Sequence, residues 1–164
     1  MKAAVRDRFG GPDAIEVREV DTPEIEDDGV LVRVRAACLN AIDWYTLTGT
    51  PWVARPMTGL RRPKDPWLGT DFAGTVEAVG AAVTHVQPGD DVFGATSTGA
   101  CAEYAATRKA IARKPPALTF DDAAALPIAA TTEGSSRDST FSSTVPPEAS
   151  ARSPCRSQRR SERR

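Results

Sequence analysis

The stretch from Pro66 to Gly94 constrains the fold of this chain more than any other. Four short apolar patches, Phe72–Ala73, Val76, Val79 and Val92–Phe93, are cut apart by Gly69, Gly74, Gly80 and a Pro88-Gly89-Asp90 turn. Glycines inside strand-like runs mark bulges, sharp bends or close backbone approach. Pro-Gly-Asp followed by a second aspartate closes a tight turn between strands. The pattern predicts a small, strongly bent antiparallel sheet curled towards a barrel.

The flanking segments extend that sheet. Residues 1–20 read as a hairpin around Gly10-Gly11-Pro12-Asp13, with Ile15, Val17 and Val20 near a core and Glu16, Arg18 and Glu19 in water. Glu24–Asp28 is an acidic surface turn. Residues 29–38 alternate most cleanly, with Val30, Val32 and Val34 on one face and Leu31, Arg33 and Arg35 on the other. Residues 40–49 leave the strand for a short helical turn, which Asn40 and Asp43 could cap and Gly49 could end. Thr50–Asp65 reads as a long loop anchored by Trp52, Met57 and Leu60, with Arg55, Arg61 and Arg62 available to solvent or to an anion. One more strand follows within residues 98–108, where Ala100, Ala102 and Tyr104 alternate against Cys101 and Glu103, then an extended exit at Ile111–Pro116. Thr119 caps a helix with Asp121 and Asp122 in its first turn, and Pro127 opens another.

The wording of the central stretch carries more than its pattern. G-x-D-F-A-G-x-V-x-x-V-G followed by V-x-x-x-x-P-G-D-x-V-F-G, with G-x-x-A-E-Y at Gly99–Tyr104, resembles the medium-chain dehydrogenases/reductases. The likeness is to their zinc-free quinone oxidoreductase branch and covers residues 1–132. It implies a mainly β fold: a GroES-like, partly open β-barrel with short helices. It implies hydride transfer from NADPH to a quinone, enal or other carbonyl acceptor, usually in a homodimer. By the same resemblance Asn40, Asp43 and Tyr45 border the nicotinamide end of the cofactor, and Thr132, or else Thr131, touches it from the helix that enters the dinucleotide-binding domain. In the zinc-dependent branch the positions of Asn40, Ala41, Thr70 and Asp71 carry metal-site residues. Here Asp71 alone could ligate, too little for a tetrahedral zinc site, and the single histidine, His85, is read as a surface residue of the loop before the Pro88 turn. No metal is expected.

Charge and composition bound the remaining possibilities. Residues 1–132 hold 14 Lys and Arg against 18 Asp and Glu, so this part offers no basic face to nucleic acid. No apolar run is long enough for a bilayer, no signal peptide is recognisable, and three scattered cysteines make no disulfide framework. A reducing, cytoplasmic setting is expected. Cys101 has no histidine or lysine beside it in sequence, which favours an inert thiol over a nucleophile.

Beyond Thr132 the composition breaks. Residues 133–164 contain nine serines and seven arginines but no Leu, Ile, Met, Trp or Tyr. Such a tail is expected to be disordered, since it has too little apolar surface to offset the entropy of ordering. A one-base shift of plausible codons for Thr140–Arg163 spells a strand, a glycine-rich GAAGGVG turn and a helix, the form of a dinucleotide-binding loop. Residues 133–164 are therefore read as an out-of-frame remnant of the nucleotide-binding domain, the Rossmann domain itself being missing. The expected product is an N-terminal piece of an NADPH-dependent reductase with weak or no activity of its own. The alternatives are a GroES-like binding module with a basic tail, or a non-functional truncated product.

Overall fold

The computed structural model describes residues 1–108 and 110–134. Of the expected disordered tail, residues 133–164, Glu133 and Gly134 end a helix and the remainder lies outside the described residues. Among the described residues there are seven strands: β1 Lys2–Val5, β2 Glu16–Glu19, β3 Val30–Cys38, β4 Asp71–Val79, β5 Asp91–Ala95, β6 Tyr104–Thr107 and β7 Ile111–Arg113. Four short helices accompany them: α1 Ala41–Thr48, α2 Arg55–Thr58, α3 Phe120–Ala124 and α4 Pro127–Gly134. β1 and β2 form a two-stranded antiparallel sheet; the other strands form one sheet in the order β6-β3-β4-β5-β7. Isolated bridges from Ala3 to Ala102 and from Val5 to Trp67 join β1 to the larger structure.

The long strands β3 and β4 are the spine of the sheet, as their alternation requires. Val30, Val32, Phe72, Val76 and Val92 are buried together on one face with Val86, Ala100 and Ala105. The opposite face of β4 is covered as well: Ala73 packs with Ala123 and Ala124 of α3. Asp71, Phe72, Ala73 and Gly74 are thus buried in succession, as in a strand covered on both sides. Two register shifts, at Leu31/Val32 and Val34/Ala36, bend β3.

The curl towards a barrel stops short of closure, because β6 and β7 remain the edges of the sheet. Threonine side chains span part of the gap between the end of β5 and β6. Thr107 Oγ1 donates to the Ala95 carbonyl at 2.9 Å, and Ala106 N donates to Thr98 Oγ1 at 3.0 Å.

Helix signals behave as their chemistry demands. Thr119 Oγ1 accepts from Asp122 N at 3.1 Å, the expected N-cap of α3. Gly49 ends α1 in the left-handed region at φ 67°. A β-carbon there would lie 2.7 Å from Cδ1 of the Phe9 ring. Gly49→Ala is accordingly expected to cost about 2 kcal/mol, from the left-handed backbone and the crowded ring together. Thermal melting should show this as a loss of roughly 5–10 °C.

Three expectations fail. Val17, expected near a core, is 73% exposed, because β2 has a partner only in β1 and nothing packs on its outward face. The 50–65 segment is not wholly irregular: it contains α2 preceded by a 3₁₀ turn at Trp52–Ala54. Nor are Trp52 and Leu60 its anchors; they are 75% and 72% exposed. The segment is held instead by Arg55, whose Nε donates to the Gly49 carbonyl at 3.2 Å and whose guanidinium lies 5.0 Å from the centroid of the Phe9 ring.

Candidate functional site

The site is built where β3 gives way to α1 and β4 begins. Asn40 is the N-cap of α1 in extended conformation. Its backbone N–H donates to Asp43 Oδ2 at 2.7 Å, while Thr70 Oγ1 donates to Asp43 Oδ1 at 2.9 Å. Both oxygens of this buried carboxylate are therefore engaged, so Asp43 shapes the turn as expected. The Asn40 side chain donates through Nδ2 to Asp71 Oδ2 at 3.1 Å.

Asp71 is the centre of the arrangement. It opens β4, pairs in register with Cys38 and Ala95, and is fully buried. Oδ2 accepts a second hydrogen bond, from Ile128 N in the first turn of α4, at 2.9 Å. Oδ1 has no partner. Burial pushes the carboxyl pKa above its ordinary value; the bonds from Ile128 N and Asn40 oppose this, and the charge of Asp43 adds to it. Burial, followed by the charges of Asp71 and Asp43, likewise pushes the Cys38 thiol up. Cys101 is pushed the same way by burial and by Asp43. Both cysteines are disfavoured as thiolates, which agrees with the inert reading of Cys101.

Comparison with known proteins identifies this architecture. The family model for the alcohol dehydrogenase GroES-like domain matches residues 26–128. The chain belongs to that family. Within the medium-chain dehydrogenases/reductases it falls in the quinone oxidoreductase-like branch. The chloroplastic quinone-oxidoreductase homolog of Spinacia oleracea is 39% identical over 127 residues, a match covering 75% of this chain and 37% of the relative. The quinone oxidoreductase of Coxiella burnetii superposes with a TM-score of 0.72 at 33% identity, over 83% of this chain and 44% of that one. The Escherichia coli quinone oxidoreductase complexed with NADPH gives 0.65 at 26% identity, over 76% and 36%. The chain thus spans well under half the length of these proteins.

In this GroES-like domain the predicted site residues fall into two groups. Asn40 and Asp43 are joined through the network just described. Tyr45, on the next turn of α1, is 50% exposed and stands outside that network. Thr131 and Thr132 lie in α4, but their side chains are outside the described ones. Of the positions compared above with the zinc branch, Asn40 and Asp71 meet side chain to side chain, while the Thr70 hydroxyl bonds Asp43 instead. Among the described residues, however, no three His, Cys, Asp or Glu side chains are grouped to hold a metal. No helix among them is long and apolar enough to cross a membrane.

Sequence reasoning weighed Asp71 only as a metal ligand and missed its part as the junction of α1, β4 and α4. The available signal was an aspartate at the start of a strand otherwise buried on both faces. Such a group must find hydrogen-bond donors.

Proposed function

We propose that residues 1–132 form the GroES-like, catalytic-type domain of an NADPH-dependent oxidoreductase acting on a quinone, enal or related carbonyl compound. One observation carries the reading: Asp71 holds Asn40 at the start of α1 and Ile128 at the start of α4 on one carboxylate oxygen. The segments bearing Asn40, Asp43 and Tyr45 on one side and Thr131 and Thr132 on the other thereby share one anchor. These residues would form the nicotinamide-side wall of a cofactor cleft. NADPH supplies the hydride when bound, and a domain of this kind positions the reacting ends. The residues fit one wall only. The Asn40 amide and both Asp43 oxygens are already engaged, and the exposed Tyr45 is the polar ring left to meet a ligand.

Residues 1–134 contain no glycine-rich phosphate loop between a strand and a helix, and residues 133–164 are read as its out-of-frame remnant. Little or no zinc-independent turnover is therefore expected from the chain alone. The pure protein, mixed with NADPH and a soluble quinone, should show no NADPH oxidation above background. Turnover at rates ordinary for enzymes would overturn the reading of an incomplete site. The coding DNA beyond the codon for Thr132 checks the same point independently: the shifted frame should spell the glycine-rich strand-turn-helix.

A further inference from the structure

A pocket of about 200 Å³ lies beside Asp43 and is lined by Arg6, Asp43, Asp65, Thr70, Thr96 and Ser97 among others. Arg6 follows β1 and is fixed by its backbone, whose N–H donates to the Pro66 carbonyl at 2.9 Å next to the Val5–Trp67 bridge. Its side chain is almost entirely buried, with the residue 4% exposed. Nε and Nη1 are buried without a hydrogen-bond partner among the described residues. A guanidinium keeps its charge in proteins, and a buried cation without a partner is costly. Burial pulls its pKa down, and the charge of the exposed Asp65 pulls it partly back.

Three threonine hydroxyls around this pocket are committed. Thr46 Oγ1 donates to the Asp43 carbonyl at 2.9 Å and Thr70 Oγ1 to Asp43 Oδ1 at 2.9 Å, while Thr96 Oγ1 donates to the Ala106 carbonyl. Their oxygens can still accept, but their protons are used. Arg6 is the strong donor left over, so the missing partner is an acceptor. Charge narrows its class. Asp43 and Asp65 border the same space and would repel a dianion. A volume of about 200 Å³ leaves room for a short carbon chain.

We propose that this pocket binds a small monocarboxylate through the guanidinium of Arg6. The site stands apart from the nicotinamide wall in its test, which uses no cofactor. The ¹⁵N-labelled full chain is titrated with butyrate, with the neutral isostere butyramide and with inorganic phosphate, all at matched ionic strength. Butyrate is expected to move the Arg6 Nε–H resonance saturably and to raise the melting temperature; butyramide should do neither, and phosphate should bind more weakly. Arg6→Lys should weaken butyrate at least tenfold by losing the planar fork, and Arg6→Gln should abolish binding. Arg113→Gln, at a side chain paired with Asp90 and outside this pocket's lining, should leave it unchanged. No saturable shift, an equal response to butyramide, tighter binding of phosphate, or butyrate binding that survives in Arg6→Gln would each overturn the assignment. The resonance is read on the unaltered chain, so the outcome holds even if the Arg6 variants do not fold.

Discussion

Replacing Asp71 by alanine is expected to lower the unfolding free energy by about 4 kcal/mol, seen in urea melts and as a fall of roughly 10–20 °C in melting temperature. The carboxylate is wholly buried and receives both Asn40 Nδ2 and Ile128 N on Oδ2. Truncation orphans both donors and leaves a void at the start of β4. Asp71→Asn should be milder. Its amide oxygen can occupy the place of Oδ2 and keep both bonds, while its NH₂ takes the place of Oδ1, which has no partner to lose. The pH dependence separates the two variants further. The folded-state pKa is raised above the ordinary 3.8, so the folded chain holds a proton that the unfolded chain releases. The stability this confers is complete below the unfolded value and is lost as pH rises through the folded one. Relative to Asp71→Asn, the unaltered chain should thus lose stability as pH rises above 3.8. Identical urea midpoints for the two proteins throughout that range would refute the argument.

Gly74→Ala should be comparably damaging, for a steric reason. Gly74 sits inside β4, paired with Val34 on one side and Val92 on the other. A β-carbon there would collide with the Arg33 carbonyl oxygen and lie 2.9 Å from Cγ1 of Val32. Neither obstacle is a flexible side-chain end, and β4 cannot retreat because β5 holds its other edge. A cost of about 3 kcal/mol or more follows, with loss of soluble, β-rich protein by circular dichroism. Gly89→Ala is the internal comparison. Its β-carbon would meet nothing within 4 Å, and only its φ of 93° resists substitution. Gly89→Ala should remain folded; equal damage at both positions would show that crowding at Gly74 is not the cause.

The glycine-punctuated stretch was legible because its reasons are local or nearly so. Gly69 has a positive φ, Gly74 and Gly80 crowd neighbouring backbone, and Gln87–Asp90 closes a turn with Gly89 at positive φ. The alternation of Val30 and Val32, the Asn40 and Gly49 ends of α1 and the Thr119 cap were readable on the same grounds. Val17 was not, because alternation identifies a face but not whether anything covers it. Trp52 and Leu60 misled in the same way: large apolar side chains signal burial only when a partner surface exists. Within the site, Asn40 and Asp43 could be read from their spacing as capping residues. The meeting of Asp71 with Ile128, 57 residues away, could not, since backbone donors carry no sequence signature. Arg6 was hidden for the opposite reason: one arginine in a charged hairpin reads as solvated until its neighbours are known.

The strand order has a consequence for how the chain is made. β3 is flanked by β4 and by β6, whose pairing joins Val30–Arg33 to Tyr104–Thr107. A chain emerging from the ribosome therefore presents β3 long before its outer neighbour exists. β1 and β2, by contrast, can pair within the first 19 residues. Until residue 107 has been synthesised, an apolar strand edge stays open to other chains. Such distant pairings place the domain among slow folders, so its yield should depend on the pace of translation and on chaperone supply as much as on final stability.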